Sequence, residues 1–101
     1  MTDEQIKDLI KRRRLQMITS SYLYYKLDYS LYDDYKWTMM ADELRELQQK
    51  YPELSEQVEW YKEEFRGWTG YSGFNLPIDE KTVSRAYHIM RYREKRREQN
   101  G

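Results

Sequence analysis

The chain has 101 residues, no cysteine, a single histidine, and 18 basic side chains against 18 acidic ones. The missing cysteines exclude a disulfide framework and a thiolate metal site, and a single histidine, His88, excludes a histidine-rich metal centre and makes a Ser/His/Asp triad a remote expectation. Apolar runs of at most four residues fall far short of the ~20 that span a membrane. A signal-peptide core is likewise missing, so the expectation is a soluble cytoplasmic protein without a membrane partner.

A chain of this size forms one domain, residues 1–101, and buries ~60–65% of its unfolded surface, enough for one modest core. Its charge is segregated. Residues 1–27 carry six Lys/Arg against three Asp/Glu, residues 28–64 four against eleven, and residues 65–101 eight against four, which gives +3, −7 and +4. Two basic blocks stand out, Lys11 with Arg12, Arg13 and Arg14, and the Arg91–Arg97 segment. They read either as a nucleic-acid or acidic-partner patch or as solvated helix faces, and the zero net charge argues against tight non-specific DNA binding.

Thr2, with Gln5 three residues on, is a capping-box start, and no Gly or Pro follows until Pro52. Ile6, Ile10, Met17 and Tyr24 recur at helical spacing, with Leu9, Leu23 and Leu27 widening the stripe, so a first helix is expected over about 3–27. Ser30, Asp33 or Asp34 can cap a second helix over about 31–50, in which Trp37, Met40, Leu44 and Leu47 form a narrow seam. The short connection makes the two an antiparallel hairpin. Pro52 stops the second helix or opens a third over about 53–66, with Leu54, Val58, Tyr61 and Phe65 inward and Gly67 as its C-cap. Residues 67–77 hold three of the four glycines beside three aromatics, the composition of an ordered loop packed back across the helices. Asp79 then caps a last helix over about 79–96, with Val83, Tyr87 and Met90 inward. The fold class is all-α.

Six of the eleven tyrosines lie between residues 22 and 35. Tyr22, Tyr24 and Tyr25 point ~100–300° apart around a helix axis, so they cannot all face one core, and some rings serve recognition or lie under a loop. Carboxylates such as Asp42, Glu43 and Glu46, or Glu59, Glu63 and Glu64, share helix faces at three- and four-residue spacing. Paired carboxylates do acid/base work only in a cleft that separates their pKa values, so a solvated face is the expectation here, one able to meet a basic partner. The Gly67–Gly73 stretch lacks the Gly-Lys-Ser/Thr ending of a phosphate cradle.

The stretch Tyr22-Leu23-Tyr24-Tyr25-Lys26-Leu27-Asp28, then Asp34, Trp37 and Glu43-Leu44-Arg45-Glu46-Leu47 through Pro52-Glu53-Leu54, resembles a known family. It is similar to the small helical cap at the N-terminus of NAD-dependent bacterial DNA ligases, over about residues 14–54. There the cap grips the nicotinamide mononucleotide half of NAD. The resemblance implies a cap-like hairpin over 3–54 with a divergent extension over 55–101. It carries the family's aromatic pair onto Tyr24 and Tyr25, its turn aspartate onto Asp34, and its Tyr-Asp pair onto Trp37 and Thr38. Trp37 keeps a ring that stacks on a pyridinium. Thr38 does not replace a carboxylate, and a lost charge-assisted hydrogen bond costs about 1.5–3 kcal/mol.

The ligase continuation Ser-Pro-Thr-x-x-Val-Gly and the Lys-x-Asp-Gly nucleophile motif are both missing from the sequence, so lysyl-AMP chemistry is excluded and no enzyme activity is expected. The leading expectation is therefore a non-catalytic interaction module of the kind bacteriophages encode, acting in the host cytoplasm on a DNA-processing or defence protein. Its contacts would run through Tyr32, Tyr35, Asp42 and Glu46. The alternatives are a binder of nicotinamide mononucleotide or NAD through Tyr24, Tyr25, Asp34 and Trp37, and a cap acting in trans on a separate ligase core. No cofactor or metal is required by the first reading, and nucleic acid through Arg12, Arg13, Arg14 and Arg91–Arg97 is the least favoured partner.

Overall fold

The structure is a computed structural model that describes residues 1–68, 76 and 78–100, with side chains described through residue 95. Four helices follow in chain order: α1 (Asp3–Leu27), α2 (Asp34–Lys50), α3 (Pro52–Gln57) and α4 (Glu80–Asn100). The all-α expectation holds, with no strand among the described residues. No helix among them is long and apolar enough to cross a membrane.

The capping box forms as read: Thr2 Oγ1 accepts from the Gln5 N–H at 3.2 Å, and Gln5 Oε1 accepts from the Thr2 N–H at 2.9 Å. At the other end Asp28 takes the left-handed conformation (φ 52°), and the Tyr29 N–H donates to the Leu23 carbonyl at 2.9 Å. That pairing closes the last turn and reverses the chain. The second helix starts three residues later than expected, at Asp34. Asp33 is the cap, its Oδ1 accepting from the Lys36 N–H at 2.7 Å. Leu31 is buried in the preceding turn, so packing uses this residue outside the helix.

Ile6, Ile10, Met17 and Ile18 of α1 meet Met40, Ala41 and Leu44 of α2, with Val58 and Phe65 closing the core from below. Two expected core positions are corrected. Tyr24 is 55% exposed and Tyr87 43% exposed. On α4 the inward positions are Thr82 and Ala86, with Ile89 and Met90 beside them, because residues this small let α4 lie close against α1.

The third helix is also corrected, ending at Gln57 rather than near residue 66. Its cause is a buried arginine. The Arg14 side chain, 1% exposed, donates from Nη1 to the carbonyls of Val58 and Trp60, both at 2.9 Å, and from Nη2 to the Ser55 carbonyl at 3.1 Å. Carbonyls held by a guanidinium do not need helical partners, so the chain turns out of the helix with Val58 extended and Tyr61 left-handed (φ 55°). Gly67 is left-handed as a cap residue would be (φ 71°), but it follows a run of turns. Trp68 packs on the core, edge-on to Phe65 at 5.0 Å. Most of the 67–77 loop assignment lies outside the described residues.

Asp79 caps α4 as read, its Oδ1 accepting from the Thr82 N–H at 2.8 Å while the Tyr61 hydroxyl donates to its Oδ2. These hydrogen bonds favour the carboxylate, the Tyr61 hydroxyl above all, and hold Asp79 below its ordinary value.

Two outcomes test this account. Arg14→Met removes a donor from the carbonyls of Ser55, Val58 and Trp60 and is expected to cost at least ~3 kcal/mol in a urea melt, whereas Arg13→Met, which breaks the partly exposed pair with Glu43 and the bond to Gln16, is expected to cost about 1 kcal/mol. A group with a depressed folded pKa stabilises above its unfolded value and loses that stabilisation as pH falls. The protection of the amides at the start of α4, their exchange relative to the intrinsic rate at each pH, is therefore expected to fall as pH drops below about 3.9, the ordinary Asp value, and Asp79→Asn removes that acid dependence.

Candidate functional site

Where α1 ends and α2 begins, the reversal at Asp28 leaves a cleft of about 260 Å³. One wall is the last two turns of α1, with Ser20, Ser21, Tyr24 and Tyr25; the opposite wall is the first turn of α2, with Asp34, Trp37 and Thr38. The connecting turn supplies the floor through Ser30, Leu31 and Tyr32. Tyr24, Tyr25, Asp34 and Trp37, the four positions taken from the ligase resemblance, therefore line one cavity.

Helical spacing explains the convergence. Ser21 and Tyr25 are four apart on α1, Asp34 and Thr38 four apart on α2, and Trp37 is three from Asp34, so each set shares a face. The Tyr24 and Tyr25 rings stand edge to face, centroids 5.0 Å apart, and are 55% and 44% exposed. Trp37 is half-buried and its indole N–H donates to Ser20 Oγ at 3.1 Å. Ser20 in turn donates to the Met17 carbonyl at 3.2 Å, which fixes the indole plane across the cleft. Trp37 also meets Trp68 edge-on at 6.4 Å.

The polar groups are unequally served. Ser20 is engaged, but the neighbouring Ser21 Oγ is buried with no hydrogen-bond partner. An orphaned buried hydroxyl costs about 1–3 kcal/mol, and here it lies in the wall of a cavity. Tyr32 is half-buried, and burial pushes its phenol above the ordinary value although Arg93 and Arg13 pull it down. Lys36 sits over the Tyr32 ring at 5.3 Å. Arg93 Nη1 donates to the Leu31 carbonyl at 3.2 Å and so braces the floor from α4.

Of the interaction residues, Tyr32 lines the cleft and Tyr35 stands outside it, 75% exposed. Asp42 pairs with Arg45 at 3.3 Å, and Glu46 is exposed further along α2; neither reaches the cleft. The first basic block does not form a patch. Arg14 is buried, Arg12 pairs with Asp8 at 2.8 Å, and Arg13 pairs with Glu43 at 3.3 Å and donates to Gln16 at 2.7 Å. Ser20 and Ser21 were missed in the sequence, although two adjacent hydroxyls in the apolar half of α1, opposite an indole that needs an acceptor, are a readable sign. Among the described residues no three His, Asp or Glu side chains gather as a metal site requires.

No protein-family model, curated protein or solved structure matches the chain. The likeness to ligase caps thus stands on the quoted residues alone.

The cleft separates two kinds of aromatic residue. Tyr24→Ala and Tyr35→Ala remove solvent-facing rings and are expected to cost under ~1 kcal/mol. Trp37→Ala removes a ring wedged between Ser20 and Trp68 and is expected to cost ~3–5 kcal/mol, read by thermal melts.

Proposed function

We propose that this chain is a non-catalytic binding module whose cleft between α1 and α2 takes the nicotinamide mononucleotide part of NAD. The observation that carries the reading is the convergence of Tyr24, Tyr25, Asp34 and Trp37 on one cavity whose wall holds an unpartnered Ser21 hydroxyl. A pyridinium ring is an aromatic cation, which stacks favourably on Trp37 or Tyr25. Asp34 at the cleft supplies a carboxylate for the ring charge or for ribose hydroxyls, and Ser21 and Ser30 add hydroxyl partners. At about 260 Å³ the cavity lies just under the size of ordinary ligand pockets, ~300 Å³ and above, so it takes one ring with its sugar rather than a dinucleotide.

Affinity is expected to be modest, because the cleft is open and Thr38 contributes no charge. Calorimetric titration with nicotinamide mononucleotide should give Kd near 1 mM, about −4 kcal/mol. Tyr25→Ala and Asp34→Asn should each weaken it by about tenfold, roughly 1.4 kcal/mol. No heat at 10 mM ligand, or heat unchanged by both substitutions, defeats the reading.

A protein partner is the second reading, favoured by the exposure of Tyr24, Tyr25, Tyr35 and Met39 around the same end of the hairpin. Exposed Tyr is a preferred anchor at interfaces. In this reading the module is phage-encoded and engages a host DNA-processing or defence protein, or caps a ligase core in trans. A stoichiometric partner recovered from bacterial lysate and lost with Tyr35→Ala supports it; restored adenylation of a cap-less ligase identifies the in-trans role.

A further inference from the structure

The outer face of α4 is a separate feature, and it does not depend on the cleft. Lys81, Arg85, His88, Arg91, Tyr92 and Lys95 follow one another at three- and four-residue steps, apart from the adjacent pair Arg91 and Tyr92. At 100° per residue they fall within about 120° of the helix circumference and run about 21 Å along its axis. No Asp or Glu lies within that sector. Glu80 and Glu94 lie on its flank, beside Tyr87.

Four of the six carry permanent positive charge. Lys81, His88, Arg91, Tyr92 and Lys95 are exposed, Tyr92 at 58%. Arg85 is half-buried and donates to Thr19 Oγ1 at 3.1 Å, which leaves its charge at the edge of the stripe. Arg93, by contrast, points away to the Leu31 carbonyl. Among the four helices α4 touches only α1, through the opposite face with Thr82 and Ala86. Most of the acidic segment 28–64 lies on α2 and α3, which α4 does not touch; its end reaches the first residue of the stripe, where Lys81 sits over the Trp60 ring at 4.9 Å near Glu59.

We infer that the Lys81–Lys95 face of α4 is a docking surface for duplex DNA. The stripe is convex. An isolated helix about 10–12 Å across matches the ~12 Å major groove, whereas single strands are held in concave channels. The cations meet phosphates along both groove walls, and His88 and Tyr92 reach toward base edges and sugars. The acidic segment repels DNA from the rest of the molecule and so restricts contact to this face.

The test is fluorescence anisotropy of the full chain with a fluorescein-labelled 20-base-pair duplex, titrated at several NaCl concentrations. Four phosphate contacts predict a slope of log K against log salt near −3.6, a loss of roughly 100- to 200-fold between 50 and 200 mM. The double variant Arg91→Gln with Lys95→Gln halves the contacts, so its loss over the same range falls to roughly tenfold. Both side chains are exposed, and an unchanged circular dichroism spectrum verifies the fold. No binding at 50 mM salt, an unchanged slope in the double variant, or equal affinity for the single strand each overturns the assignment. A nicotinamide titration leaves it untouched, so the two sites stand or fall separately.

Discussion

The fold hangs on the burial of one charged side chain. Arg14 lies inside the domain and donates to Gln48 Oε1 at 2.8 Å, to the carbonyls of Ser55, Val58 and Trp60, and to Ser55 Oγ at 2.7 Å. Removing a guanidinium from water costs several kcal/mol, and burial lowers its pKa to about 10, with the charge retained at neutral pH. The cost is offset only because the planar fork finds acceptors in several directions at once. Three of them are main-chain carbonyls of one short segment, so the arginine dictates the backbone path after α3.

That constraint passes to the cleft through packed side chains. Gln48 accepts from Arg14 and donates from Nε2 to the Phe65 carbonyl at 3.0 Å. Phe65 is buried and meets Trp68, Trp68 meets Trp37, and Trp37 donates to Ser20 across the hairpin. The hairpin is thus fixed twice, by Arg14 and Gln48 near the end of α2 and by Trp37 and Ser20 beside the turn that joins the two helices. A cleft with walls on two helices keeps its shape only if their separation is set in this way. The exposed rings of Tyr24 and Tyr25 stand on a rigid support, although the rings themselves contribute little to the core.

Charge is divided along the same lines. Surface ion pairs such as Arg12–Asp8 and Arg66–Glu56 hold their partners at 2.8 Å but are exposed and add little stability. The pair Arg13–Glu43 bridges α1 and α2 beside the core. The arginines of the first basic block are therefore absorbed into structure, one in the core and two in pairs, while Lys81, Arg91 and Lys95 of α4 are exposed and Arg85 and Arg93 bond back to the domain. Similar residue types meet different surroundings because α1 packs against three other helices and α4 against one.

Local chemistry by itself determined the bounds of α1, the caps at Thr2 and Asp79, the antiparallel hairpin and the seam of Met40 and Leu44, while for α2 it left Ser30, Asp33 and Asp34 as possible caps. Capping and helical periodicity act over a few residues, and their energies do not depend on distant parts of the chain. The grouping of Tyr24, Tyr25, Asp34 and Trp37 was expected only through the ligase resemblance; the short turn between α1 and α2 is what brings these positions to one cavity. Tertiary structure alone decided the rest. Arg14 fills the inward position between Ile10 and Met17, where the apolar stripe skips a step, and its carbonyl partners lie more than forty residues away in the chain. The early end of α3 follows from those partners, although Leu54, Val58, Tyr61 and Phe65 suit a longer helix. The rotation of α4 that buries Thr82 and Ala86 and exposes Tyr87 was set by how closely it approaches α1. A polar residue's cost of burial depends on which acceptors the folded chain brings to it, and no local pattern contains that information.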